Sequence, residues 1–159
     1  MELAKYESFI NESGTTYIAE CGTVHIDGRK KYNSPALFAD FFGDSIGIRN
    51  CAEEHVYIAC LNQHMKMIGC FEISRGSVNA SMFPVREILQ KSLLIGAVNI
   101  ALSHNHPSGD ITPSKIDIDA TKRLKQACDI CGIGIVDHVI IGANNTDYYS
   151  MFESGIIQE

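Results

Sequence analysis

Short apolar runs and helical stripes alternate along this chain. Residues 15–26 form one β-like run near the N-terminus. Ser34-Pro35 then supplies an N-cap and an N1 proline, and Leu37, Phe38, Phe41 and Phe42 recur at helical spacing. Residues 54–62 read as a strand, Asn62-Gln63-His64 as a turn with His64 exposed, and residues 67–74 as a hairpin partner. Pro84 opens a helix whose Val85, Ile88, Leu89, Ser92 and Ile95 make a stripe that Gly96 ends. Ala97-Val98-Asn99-Ile100-Ala101-Leu102-Ser103 is apolar, rich in β-formers and too short for a helix, and so reads as a buried strand. A helix starting near Ser114 carries Ile116, Ala120, Leu124, Ala127 and Cys131 at spacings of three and four, up to Gly132. Residues 133–142 are a strand and Tyr148-Tyr149-Ser150 a short final one. Helices separated by β-runs predict an α/β domain, a mixed β-sheet flanked by helices.

The candidate chemistry lies where the buried strand ends. His104 and His106 are two residues apart, so in an extended segment both imidazoles point to one side. Pro107, Gly109 and Pro113 turn the chain into the next helix, whose first turn carries Ser114 and Asp117 on one face. Two imidazoles and a carboxylate are a common ligand set for catalytic zinc, with the fourth position left for water. Ser114-x-x-Asp117 alone is also a capping-box pattern closing a helix N-terminus. Asn105 points away from its two neighbours, which suits a role in fixing the loop.

His104-Asn105-His106-Pro107, with Ser114 eight and Asp117 eleven residues after the second histidine, resembles the JAMM motif of MPN-plus metalloproteases. The longer string through Ser108-Gly109-Asp110, Thr112-Pro113-Ser114, Asp117, Thr121 and Leu124 is similar to one branch, the bacterial RadC-like JAB domain. Arg75-Gly76-Ser77, Pro84-Val85-Arg86-Glu87-Ile88 and Asp137-His138-Val139-Ile140-Ile141-Gly142 extend the match, which covers about residues 34–157. The resemblance implies a three-layer, cytidine-deaminase-like fold over residues 34–159, preceded by a β-containing extension over residues 1–33. It also implies Zn2+ held by His104, His106 and Asp117, and an upstream glutamate that shuttles protons. Counting back along the first strand from Asn62 selects Glu54; Glu53 would face the other way, and Glu72 on the next strand is a weaker competitor. Ser114 is assigned a hydrogen bond to the developing oxyanion, not the part of a nucleophile. Asp137-His138 fits equally a packed pair at a sheet end and a place beside the metal or substrate.

The implied activity is a zinc-dependent peptidase or isopeptidase. Its substrate would be a protein or peptide, and JAMM relatives cleave the amide joining a protein to a ubiquitin-like tail. A nucleic-acid-associated accessory role, after the family's historical DNA-repair label, is the alternative, and a catalytically silent scaffold a third. Net charge is −6 over 159 residues, and Arg29-Lys30-Lys31 is the only basic cluster, so the electrostatic footprint of non-specific DNA binding is missing. Apolar residues make up 45% of the chain with no run long enough for a membrane span, and Met1-Glu2-Leu3-Ala4-Lys5 begins no signal peptide. A cytoplasmic protein with free thiols is therefore expected. Cys128 and Cys131 have redox or zinc spacing without a second pair, which favours two incidental cysteines. His25 in the first β-run is expected to be structural.

Overall fold

The computed structural model describes residues 1–76, 83–143 and 146–158. Ser77, quoted above in the Arg-Gly-Ser match, lies outside them. In chain order the elements are β1 (Glu2–Ile10), β2 (Thr16–His25), α1 (Pro35–Asp40), β3 (Glu54–Leu61), β4 (Met67–Gly76), α2 (Val85–Leu94), β5 (Asn99–His106), α3 (Lys115–Cys131), β6 (Gly134–Gly142) and β7 (Tyr148–Ser150). The strands form a seven-stranded sheet in the order β2-β1-β4-β3-β5-β6-β7. It is mixed: β1–β4 and β5–β6 are parallel, and the other neighbours are antiparallel.

Alternation along the central strands builds two apolar layers, one on each face. Tyr57, Ala59 and Leu61 of β3, Ala101 of β5, and Val139 and Ile141 of β6 pack with Phe38, Phe41 and Phe42 of α1 and the π-helical turn that continues it. Val56, Ile58, Ile100, Leu102 and Ile140 face the other way and pack with Ile88 of α2 and Leu124 of α3. Each fully buried Ile or Leu in these layers stabilises the fold by about 1.5–3 kcal/mol relative to exposure. Among the described residues, no helix is long and apolar enough to cross a membrane.

Two departures from the sequence pattern are informative. β1 was not evident as a strand, because beyond Leu3 its side chains are half-buried or exposed and show no two-residue alternation. It pairs with β2 as a hairpin and joins β4 through Lys5 opposite Cys70, so the first 25 residues continue the sheet. In α3 the buried stripe is Asp117, Thr121, Leu124 and Cys128, whereas Ile116 and Cys131 are exposed. The helix is turned by one residue from the most apolar stripe, which brings two polar side chains against the sheet.

Candidate metal centre

β5 ends in the two histidines. His104 follows Ile100 and Leu102 on the face covered by α2 and α3, and His106 continues that side of the strand. α3 brings Asp117 to them. His104 Nε2 lies 3.0 Å from His106 Nε2 and 3.6 Å from Asp117 Oδ1, and His106 Nε2 lies 3.8 Å from Asp117 Oδ2. Ligands at zinc bond lengths of about 2.0–2.1 Å in a tetrahedron stand about 3.3 Å apart; the two imidazole nitrogens lie just inside that spacing, and the carboxylate lies outside it, with Oδ1 toward His104 and Oδ2 toward His106. His106 Nδ1 donates to the Asp110 carbonyl at 2.5 Å, which leaves Nε2 as a lone pair pointing into the cluster. His104 and Asp117 are buried, and the donor atoms of all three side chains lie within 4.8 Å of one another. The set fits a zinc ion.

The capping box and the placing of the Asp117 carboxylate beside the histidines are one arrangement. Asp117 N–H donates to Ser114 Oγ at 3.1 Å, while Asp117 Oδ2 accepts from Ser114 N–H at 2.8 Å and from Ser114 Oγ–H at 2.6 Å. Those two bonds fix the carboxylate rotation and leave Oδ1 nearest His104. Between the strand and this cap, Gly109 adopts φ +84°, a conformation open to glycine at little cost, and its N–H donates to the His106 carbonyl at 3.0 Å. Asp110 Oδ1 accepts from Thr112 N–H at 2.9 Å. The loop between the histidines and α3 is thus hydrogen-bonded internally.

Glu54 opens β3 two residues before Val56, which pairs with His104, so its side chain shares the face of the metal cluster. Burial raises its pKa above the ordinary glutamate value; the His106 charge pulls it down and the Asp117 charge pushes it up. Glu53 is exposed. Glu72 is held on the other face of the sheet, bonded to His55 Nδ1 at 2.8 Å and to Arg75 at 3.0 and 3.2 Å. Asn105 is fully buried and brackets Glu54: its Oδ1 accepts from His55 N–H at 2.7 Å, and its Nδ2 donates to the Glu53 carbonyl at 3.0 Å and the Cys51 carbonyl at 3.3 Å. The residue between the two histidines therefore clamps the peptide groups on either side of the glutamate.

Asp137 and His138 part company. Asp137 Oδ1 accepts from the N–H groups of His138 and Phe152, and Oδ2 accepts from the Ser150 hydroxyl at 2.7 Å, so it ties the end of the chain to β6. His138 points to the metal face, with Nε2 2.8 Å from His104 Nδ1 and Nδ1 2.6 Å from Thr121 Oγ1. Phe83 covers both rings edge-on, at centroid distances of 5.5 Å from His104 and 5.2 Å from His138. Sequence reasoning gave Phe83 and Thr121 no role. Thr121, a position of the family match one turn after Asp117, was the available signal. Cys128 is buried and Cys131 exposed, both as free thiols; exposed His64 and exposed His25, which pairs with Glu2, take no part.

Burial lowers the His104 pKa to about 4, with Asp117 opposing and His106 adding to the fall. Burial also drives His138 well below the ordinary imidazole value, and the charges of His104 and His106 add to that. Both rings are thus neutral in the folded chain and take up protons near pH 6.5 once unfolded. The unfolded state binds the extra protons, so stability is lost as pH falls below 6.5, and the loss grows until the folded rings titrate. For metal-free protein His104 alone predicts a loss of about 2 kcal/mol between pH 7 and pH 5, and His138 adds to it in the same direction. Denaturant unfolding at the two pH values measures it, and equal stabilities would mean that both rings charge normally within the fold.

The family model of the RadC-like JAB domain matches residues 32–156. A UPF0758 protein of Desulfitobacterium hafniense is 40% identical over 164 aligned positions, covering 98% of this chain and 70% of its own length. One from Clostridium novyi is 44% identical over 105 residues, 66% of this chain and 45% of the relative. One from Pelobacter propionicus is 35% identical over 132 residues, 83% of this chain and 56% of the relative. The chain spans about half the length of several of these curated relatives. With a mixed sheet between helices and a His-His-Asp cluster able to take a metal at the end of β5, the chain belongs to the RadC-like JAB domain family.

Proposed function

We propose that the chain is a zinc-dependent hydrolase that cleaves an amide bond in a protein or peptide substrate. The observation that carries this reading is the convergence of three donor side chains on one point, with a partly buried glutamate on the same face of the sheet. Zinc in that position supplies Lewis acidity, which polarises an amide carbonyl and acidifies water. Glu54 then acts as general base on the water and returns the proton to the leaving amine; its raised pKa suits both halves of that task. Ser114 is exposed at the helix N-terminus, where its hydroxyl can turn from Asp117 to the carbonyl oxygen as negative charge develops. A substrate tail in an extended, ubiquitin-like form is the class that JAMM relatives cleave and the first to try.

The test is cleavage itself. Zinc-loaded protein is incubated with a proteome-derived peptide mixture and with lysine-branched isopeptides, and new amino termini are counted. The expected result is cleavage by the loaded protein, absent after chelation and absent with Glu54→Gln. No cleavage of either class, together with tight duplex DNA binding at physiological salt, would move the chain to the nucleic-acid accessory reading.

Ser114→Ala separates the two duties of that side chain. A cap alone costs on the order of 1 kcal/mol of stability with little change in turnover. Loss of an oxyanion donor lowers turnover by roughly 10²–10³-fold. The second is expected, with zinc content unchanged, and a variant that is merely less stable would leave Ser114 a structural residue.

A further inference from the structure

His138 occupies the inner side of the metal cluster, fully buried behind His104 and beneath Phe83. It belongs to a line of contacts in which every hydrogen can be assigned. Thr121 Oγ1 is 2.6 Å from the main-chain oxygen of Asp117 and 2.6 Å from His138 Nδ1. A carbonyl oxygen only accepts, so the single hydroxyl hydrogen of Thr121 lies on the bond to Asp117. The hydrogen between Thr121 and His138 must then come from His138 Nδ1. A neutral imidazole carries one N–H, which makes His138 Nε2 a lone pair. The hydrogen in the 2.8 Å contact between the rings therefore sits on His104 Nδ1. His104 Nε2 is left bare, facing His106 Nε2 and Asp117.

We infer that Thr121 and His138 are positioning residues that fix His104 in its Nδ1–H tautomer, so that Nε2 stays open for a metal. The line begins on the backbone of one proposed ligand, Asp117 of α3, and ends on the ring of another, His104 of β5. It runs through β6, so three elements hold the two ligands in one geometry. Without the Thr121 oxygen, nothing in this line keeps the hydrogen of His138 on Nδ1. His138 can then present N–H at Nε2, His104 Nδ1 must accept it, and the hydrogen of His104 moves to the nitrogen that should bind metal.

This inference rests on the metal-centre reading, and two measurements keep the two apart. The first is zinc affinity by chelator competition for the wild type, Thr121→Val and Thr121→Ser. Valine keeps the shape and removes the hydroxyl, and is expected to weaken zinc binding about 10–100-fold, while serine keeps near-wild-type affinity. The second is imidazole nitrogen NMR of the metal-free protein near pH 7.5. It is expected to show His104 protonated on Nδ1 in the wild type and Thr121→Ser, and shifted toward Nε2–H in Thr121→Val. Should Thr121→Val fail to fold, the wild-type spectrum still decides. His104 carrying its hydrogen on Nε2, or a folded Thr121→Val that binds zinc as tightly as the wild type, would overturn the inference. A wild type that binds no zinc but shows Nδ1–H on His104 sinks the metal reading and supports the proton order.

Discussion

Replacing Glu54 by glutamine is expected to leave one zinc per chain and to lower turnover by roughly 10²–10⁴-fold, the usual weight of a general acid–base group. The change removes the proton acceptor and little else. Glutamine has the size of glutamate, and the backbone at this position is clamped by Asn105 through the flanking groups of Glu53 and His55. Glu53→Gln is expected to be mild, because that side chain is exposed and off the strand. The pair is decisive through the pleat: adjacent residues at the start of β3 cannot both reach His106 and Asp117. Elemental analysis and turnover of the two variants check the assignment. A dead Glu53→Gln beside an active Glu54→Gln would place the base one residue away, and inactivity of Glu72→Gln alone would move it to β4.

The second large effect concerns the metal. His104→Ala and Asp117→Ala are each expected to lose stoichiometric zinc, read by elemental analysis after dialysis, while keeping the secondary structure of the wild type. The fold persists because its two apolar layers, from Val56, Ile58, Leu102 and Leu124 on one face and Phe38, Phe42 and Leu61 on the other, are complete without an ion. Zinc added to the wild type should raise its unfolding free energy by about 4 kcal/mol when the free ion is at a thousand times its dissociation constant. The two variants should show no such rise. Stoichiometric zinc in both would remove these residues from the ligand set.

The candidate site was legible in the sequence to the extent that it is local. His104 and His106 share a side because strand side chains alternate, and Ser114 and Asp117 share a helix face because they are three apart. Glu54 lies fifty residues from His104. Its place on the face of the His-His-Asp cluster depends on β3 pairing with β5 so that Val56 meets His104, a register that no local pattern encodes. Family resemblance selected Glu54, and the tertiary structure placed it on the metal face and set Glu72 on the other. Thr121 shows why the rest was hidden. It lies beside the most apolar stripe of α3, so helical periodicity gives it no part until the group it serves is known, and that group, His138, comes from another strand.

The sequence by itself determined the order of strands and helices from β2 onward, the α/β class, and the local geometry of the two histidines, Ser114 and Asp117. All of these follow from periodicities of two and 3.6 residues and from caps and turns spanning a few positions. Only the tertiary structure decided that β1 is a strand of the same sheet, that α3 buries Asp117 and Thr121, and that Asn105 clamps the backbone around Glu54. It also joined His138 to His104 and turned Asp137 toward the chain end. The physical reason is common to all of these: they are hydrogen bonds and packing contacts between segments far apart in the chain, and they exist only once the sheet has set its register and the buried polar groups have found their partners.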